Sequence, residues 1–506
     1  MDSLPSLLLR GAGDAAAISA PEGKPLSYQG LREMAARTVE RLNGLGIGRG
    51  DRVAVVLNNG PEMAAVFVSI AAGAAIAPLN PGYRTDEFDF YLGDLTPKAL
   101  VIEAGLDSPS RAVAARLGVP IVEVHADRPS GAGSFRLEPL APMPGRASSP
   151  GPGASDDVAL LLHTSGTTSR PKLVPLLQRN LVASAGHIGR VLALSPADCC
   201  LNIMPLFHIH GLIAGVLASL GAGAQVCCTP GFNALRFFHW LDEVRPTWWT
   251  GVPAMHRAIL ERAPRHPESL KRLRLRLIRS SSASLRPALM TRIEETFNVP
   301  VIESYGMTEA AHQMASNPLP PLARKPGSVG RAAGPQIGIL GEGGKLLPTG
   351  ESGEIVVRGP NLFEGYVNNP EANTAAFADG WFRTGDQGVL DEEGYLRING
   401  RLKEMINRGG EKISPIEVDT VLLEHPAVQL ALTFAVPHEK LGEEVAAAIV
   451  IREGRTATER ELREFASKHL AHYKVPHKFV FVKELPRGPT GKLQRIGLAA
   501  KLGLGS

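Results

Sequence analysis

The stretch HTSGTTSRPK at 163–172 gathers five hydroxyl side chains, Thr164, Ser165, Thr167, Thr168 and Ser169, around one glycine, Gly166, and ends on Lys172. It follows DVALLLH at 157–163, an apolar run of β type. A glycine-containing loop after a strand points to phosphate, because backbone N–H groups and hydroxyls both donate to phosphate oxygens. The G-x-x-x-x-G-K-[ST] pattern does not fit: Gly166 has no second glycine five residues on, and Leu173 follows Lys172. In place of a second glycine the loop offers its hydroxyl side chains as donors. Two other clusters invite chemistry less strongly. The cysteines fall as two adjacent pairs, Cys199-Cys200 and Cys227-Cys228. Neighbours on a strand face opposite ways, so neither pair converges on a metal, and buried free thiols in a reducing compartment such as the cytoplasm are expected. The basic run 271–276 alternates with leucines and reads as an edge strand with one solvated face.

The elements that must position these residues alternate strand and helix. DRVAVVLNN at 51–59, AIAPLNP at 75–81 and KALVIEA at 98–104 read as strands. PEMAAVFVSIAAGA at 61–74, with Pro61 at its start, and LVASAGHIGRVLAL at 181–194 read as helices. Such alternation means βαβ units and parallel sheet. From Val329 short strands and turn residues dominate, as in a small β-barrel, with hairpin signals at Glu393-Gly394 and Asn399-Gly400. A smaller α/β segment then opens with SPIEVDTVLLEHP, where Ser414, Pro415 and Glu417 form a helix start. With 506 residues, too many for one core, the chain is expected to divide into 1–402 and 403–506. A net charge of +4 with no long basic run argues against nucleic acid, and the lack of a long uncharged apolar stretch argues against a membrane span. Neither a secretory leader nor an SKL-type terminus is expected. Both monomer and homodimer are compatible with the sequence.

The hydroxyl loop has company. ESYGMTEA at 303–310, WFRTGD at 381–386, GRLKEMINRGGEKISPIEVD at 400–419 and LPRGPTGKLQR at 485–495 follow it in order. This set resembles the adenylate-forming enzyme family of acyl-CoA synthetases, luciferases and peptide-synthetase adenylation domains, over nearly the whole chain. The resemblance implies an α/β fold: a large N-terminal domain of two αβαβα sub-domains plus a small β-barrel, then a small mobile α+β C-terminal domain. It implies ATP, Mg2+ and coenzyme A as reactants. Thr164, Ser165, Gly166, Thr167, Thr168 and Lys172 would face the ATP phosphates. Ser282, Ala283, Ser284, Glu303, Ser304, Tyr305 and Gly306 would line the adenine, with Tyr305 stacked on the base. Thr308 would donate to the α-phosphate and Glu309 would hold Mg2+, a hard cation suited to carboxylate oxygen. Asp386 and Arg401 would take the ribose. Lys492 would neutralise charge as a carboxylate attacks the α-phosphorus. Lys403 would be the hinge about which the small domain turns, and Gly409-Gly410 would let backbone pass close to the CoA thiol.

The acid is read from three segments. PLFHIHGL at 205–212 resembles the family's gate segment, with His208 closing the acyl tunnel. RSSSASL at 279–285 and MTEAAHQMASNPLPP at 307–321 are similar to those of oxalate–CoA ligases, as is RKPGSVG at 324–330. The expected acid pocket is His208, Ser281 and His312, polar enough for a second carboxylate. Gly306, where those enzymes carry alanine, is a departure expected to be small. A CoA ligase for another short, medium-chain or aryl acid is the rival within the class. An adenylation enzyme that loads a carrier protein is the rival outside it, and it is disfavoured because no carrier-domain serine motif follows the lysine loop. A non-catalytic binder is disfavoured by the presence of Glu309, Asp386 and Lys492 together.

Overall fold

Strand–helix alternation produces two parallel sheets, as the pattern of apolar runs requires. The computed structural model describes residues 2–143, 145–164, 171–486 and 493–504. The chain divides into two compact units, one of Met1–Leu162, Leu173–Gln336 and Arg358–Asn373, the other of His163–Lys172, Ile337–Val357 and Thr374–Ser506.

In the first unit, a seven-stranded sheet runs Phe135–Pro139, Ile121–Ala126, Ala99–Glu103, Arg52–Val56, Ala75–Pro78, Val158–Thr164 and Lys172–Leu177. A nine-stranded sheet runs Arg331–Ala332, His312–Ser316, Val301–Met307, Leu277–Ser280, Trp248–Gly251, Cys199–Asn202, Gln225–Cys228, Ala16–Ser19 and Leu26–Ser27. Its central pairs are parallel, from Val301–Met307 across to Ala16–Ser19. Sheets of this kind are covered on both faces, which is why their strands read as unbroken apolar runs. One face packs Phe237, Phe238, Trp249, Ile278, Ile293 and Phe297 into a closed core. The helix Pro61–Ala71 starts on its proline as expected and is buried along most of its length.

One expectation about these strands needs correction and one holds. Residues 271–276 form no edge strand. Lys271 ends the helix Pro267–Lys271, and the chain then loops into Leu277–Ser280, an interior strand. Arg276 is tied to Asp198 by two ion-paired contacts of 2.7 and 3.0 Å, so its role is to anchor that strand's entry. The cysteine pairs do split across the two faces of their strands, which lie side by side with Leu201 opposite Cys227. All four thiols are free, and burial pushes Cys199 and Cys227 up to about 12.

The second unit holds two smaller sheets. One has five strands: Gln336–Leu340, Ser352–Arg358, Trp381–Leu390, Phe377–Ala378 and Leu396–Arg401. The turn at 391–395 is built by Asp391, whose carboxylate accepts from the Glu393 and Tyr395 N–H groups. Asn399-Gly400 is no turn. It lies inside Leu396–Arg401, where the register slips between Gln387 and Gly388, so Asn399 marks a bulge. The other sheet joins Glu411–Ile413, Ile406–Arg408, Gly442–Ile451, Val428–His438 and Lys478–Phe481. Against it lies the helix Pro415–Leu422, with Ser414 accepting the Glu417 N–H as its cap.

The strand Val301–Met307 turns back sharply into His312–Ser316, and the two pair antiparallel with a register shift at Tyr305/Gly306. A Cβ at Gly306 would stand 1.5 Å from the His312 carbonyl oxygen. The expectation that alanine here is a small change is therefore wrong for this chain, since the neighbour is backbone and cannot rotate away. Gly306→Ala should cost roughly 1–3 kcal/mol, as overpacking does, read as a lower urea midpoint at unchanged slope. An unchanged midpoint would mean that the bulge relaxes freely.

Candidate active site

The first unit's residues collect at the carboxyl ends of its parallel strands, where open α/β sheets place their ligands. Three bonds latch residues 280–285 onto the neighbouring strand. Ser281 donates to the Ser304 carbonyl at 2.9 Å, Ser304 donates to the Ser280 carbonyl at 3.4 Å, and the Leu285 N–H donates to Glu303 Oε1 at 2.9 Å. Ser282, Ala283 and Ser284 thereby stand exposed beside Glu303 and Ser304. Ser282 takes a left-handed backbone, φ 68°, which costs a non-glycine residue energy and is held only by such surroundings. Ser281 has given its proton to Ser304, so in this arrangement it offers a carboxylate no donor.

Thr308–Ala310 form a single 3₁₀ turn at the end of Val301–Met307, leaving Thr308 half-buried. Glu309 is buried, and its Oε1 accepts the Tyr366 hydroxyl at 2.9 Å. A fixed carboxylate beside a threonine suits a hard cation that brings its own phosphate ligands.

The acid side differs most from expectation. His208 lies in the turn before the π-helix His210–Leu217, its ring on Phe207 at 4.5 Å. Single-turn π segments recur at functional sites. His312 opens its strand at φ 89° and is buried, but it does not act alone. Its ring stacks on His210 at 4.8 Å and its Nε2 accepts from Arg279 at 3.0 Å. Arg279, on the interior strand Leu277–Ser280, also donates to Gln313 at 3.0 Å and to His210 Nε2 and Thr250 Oγ1, both at 3.3 Å. It is 1 % exposed, its Nε has no partner, and no carboxylate pairs with it among the described residues. Burial lowers it to about 9, so it stays charged at neutral pH, and burial holds both histidines well below their ordinary value. Sequence reasoning missed Arg279, His210, Thr250 and Gln313. The signal was present in RSSSASL, which was read for its serines, and in the second histidine of PLFHIHGL.

The remaining expected residues lie in the second unit. Thr164 donates to the Lys172 carbonyl at 3.4 Å across the hydroxyl loop. Asp386 sits in a bulge of Trp381–Leu390 with Gly385 at φ 71°, buried and paired with Arg401 at 2.9 Å, so the two expected ribose residues are brought together. Lys403 is exposed in the turn Leu402–Glu404. The next residue, Glu404, pairs with Arg495, which also holds Asp419 at 2.7 Å. Gly409 and Gly410 have φ 60° and 97° and form a two-residue hairpin turn of the type that needs positive φ at both positions. Ser165, Gly166, Thr167, Thr168 and Lys492 lie outside the described residues.

With this geometry in hand, comparison with known proteins is decisive. Residues 9–367 match the AMP-binding enzyme family, and residues 417–492 match the AMP-binding enzyme C-terminal domain. The chain belongs to the AMP-binding enzymes. Within that family it is 45% identical over 477 residues to the oxalate–CoA ligase of Arabidopsis thaliana, covering 93% of this chain and 92% of that one. It is 42% identical to the oxalate–CoA ligase of Saccharomyces cerevisiae over 474 residues, 88% of this chain and 86% of that one. Among solved structures, ATP-bound MatB from Rhodopseudomonas palustris superposes with a TM-score of 0.87 at 30% identity, covering 99% and 98% of the two chains. The α/β fold expected for an AMP-binding enzyme, with a large N-terminal and a small C-terminal domain, is thus the fold found. No described helix is long and apolar enough to cross a membrane.

One titration is built into the adenine side. Glu303 is buried with Oε2 unpartnered, and burial pushes its carboxyl from an ordinary 4.5 up to about 7. The folded chain then holds an extra proton between those values, so this contribution to stability is present at low pH and is lost as pH rises through about 7. Glu303→Gln should gain on wild type by about 2 kcal/mol between pH 5 and pH 8, measured by urea unfolding at each pH. A constant difference would show that the carboxyl is ordinary.

Proposed function

We propose that this enzyme is an ATP-dependent oxalate–CoA ligase. A carboxylate oxygen attacks the α-phosphorus of ATP, giving oxalyl-adenylate and diphosphate. The CoA thiolate then attacks the acyl carbon and expels AMP, leaving oxalyl-CoA. The observation that carries oxalate over other acids is the buried cation of the acid side. Arg279 lies among His210, His312, Gln313 and Thr250 with no carboxylate partner among the described residues. A buried charge without a counter-ion is costly, and an apolar acyl tail would leave it so. A second carboxylate on the substrate would supply the missing anion. The names of the relatives point the same way.

In this reading Thr308 donates to the α-phosphate and Glu309 would hold Mg2+, which when bound offsets phosphate charge. Tyr305 stacks on adenine, and Asp386 with Arg401 takes the ribose. Lys403 is the hinge between residues 1–402 and 403–506, and its turning exchanges Lys492 for the Gly409-Gly410 segment. The enzyme works in the cytoplasm, a location that four free cysteines suit.

Three measurements test this. A panel of oxalate, malonate, acetate, octanoate, benzoate and coumarate with ATP and CoA should release AMP fastest with oxalate, and faster with CoA than with a phosphopantetheinyl carrier protein. Preference for any monocarboxylate would overturn the oxalate reading. Lys492→Ala should slow adenylation on the order of 10²–10³-fold, as loss of a preorganised donor does, and should spare thioester formation from supplied oxalyl-adenylate. Equal loss in both halves would make Lys492 structural. Lys403→Pro, which fixes φ near −65°, should keep adenylation and lose thioester formation; normal rates in both would move the hinge elsewhere.

A further inference from the structure

Arginine has only donors, so any ring nitrogen it bonds must be an acceptor. Arg279 faces Nε2 of His210 and Nε2 of His312 at the same time. Each neutral ring must then carry its proton on Nδ1. Charging either ring would set a second cation against the guanidinium, inside the sheet and stacked on the other ring at 4.8 Å. Thr250 agrees: its Oγ1 takes an Arg279 N–H at 3.3 Å and stands 2.6 Å from His210 Nε2, so its own hydroxyl proton goes to that nitrogen. The direction of every bond in the cluster is fixed by one residue.

We propose that Arg279 is the specificity-determining residue of the acid site, acting as a positioning residue that locks His210 and His312 as neutral Nδ1–H donors for the second carboxylate. This rests on the reading of the site as one for a dianionic acid. The donors emerge in two places. His210 Nδ1–H donates to Ser282 Oγ at 3.0 Å, which frees the Ser282 hydroxyl proton to be given onward from an exposed residue. His312 Nδ1–H has no partner among the described residues. A dicarboxylate accepts these protons and brings its charge near the guanidinium. A monocarboxylate of the same size leaves the N–H and the cation unanswered, and a site built for a polar group rejects the analogue that lacks it far more strongly than an apolar pocket rejects an extra methylene. His312, expected from sequence to line the acid pocket, becomes the neutral end of a chain that starts at Arg279.

Two experiments test this. Long-range ¹H–¹⁵N spectra of wild type labelled in histidine, assigned with His210→Asn and His312→Asn, should show both rings as neutral Nδ1–H tautomers from pH 6 to pH 8. An Nε2–H or charged ring at either position overturns the proposal, and this readout needs no variant of Arg279 to fold. In steady state, Arg279→Gln should raise KM for oxalate by about 100-fold or more with kcat changed only a few-fold, and should leave KM for acetate and glyoxylate the same or lower. Arg279→Lys should stay impaired, because a point charge cannot face both rings as the planar fork does. Equal losses for all acids in both variants, with a lowered melting temperature, would make Arg279 structural. Failure of the two readings is separable. Locked tautomers in an enzyme that activates no dianionic acid would sink the substrate assignment alone. Oxalate turnover with selectivity unchanged in Arg279→Gln would sink the role of Arg279 alone.

Discussion

A cation held inside a β-sheet, with no counter-anion among the described residues, sets the terms for this site. Arg279 sits on an interior strand, 1 % exposed, with five N–H groups and only neutral acceptors for four of them. Such a charge is tolerated only if its surroundings are rigid and its hydrogen bonds are met. The four acceptors come from three elements: Thr250 from the next strand, His210 from the π-helix, His312 and Gln313 from the returning strand. Displacing any of them would leave part of the guanidinium dry and unbonded. The packing around the site therefore follows from the charge.

Backbone features that look incidental serve this requirement. Gly306 must lack a side chain because the His312 carbonyl crosses within 1.5 Å of where a Cβ would be, and that crossing carries His312 to Arg279. In the π-helix, Gly211 and Gly215 leave room for the Pro205 carbonyl and the Asn202 side chain, at 2.3 and 2.7 Å from their absent Cβ atoms. This brings His210 down onto the strand ends. Strain at Ser282 and His312, both at positive φ, collects where the two histidines meet the exposed loop.

The architecture was legible in the sequence wherever one local rule decided it. Apolar runs punctuated by Pro and Gly gave the parallel strands, and Ser414 three residues before Glu417 gave a helix start that its hydrogen bond confirms. The order of five motifs gave the family that residues 9–367 and 417–492 match. Local rules failed where a distant partner decides. Asn399-Gly400 has turn chemistry, yet Asp391 makes the turn and the pair is left as a bulge. Arg279 follows a basic run by three residues and looks like its continuation. Only the covering of its strand by neighbours far away in sequence separates it from the solvated arginines before it. The glycine pair at 409–410 was read for closeness to a thiol, whereas its positive φ values already answer to a hairpin.

Charge among the first unit's expected site residues is concentrated in few places. Burial pushes the Glu303 carboxyl up to about 7 and keeps both histidines uncharged, while Glu309 accepts the Tyr366 hydroxyl. Under the proposed reading Arg279 would offer a cation to the acid, and Glu309 would offer a carboxylate to Mg2+. An acid with two carboxylates entering such a field has a preferred orientation before any contact is made. Under that reading the carboxylate nearer Arg279 would be the one held, leaving the other to react. Neutral histidines matter to this sorting, because a second cation between the two ends would blur it. Under the proposed reading, selection of the substrate and orientation of its reacting oxygen would draw on the same buried charge.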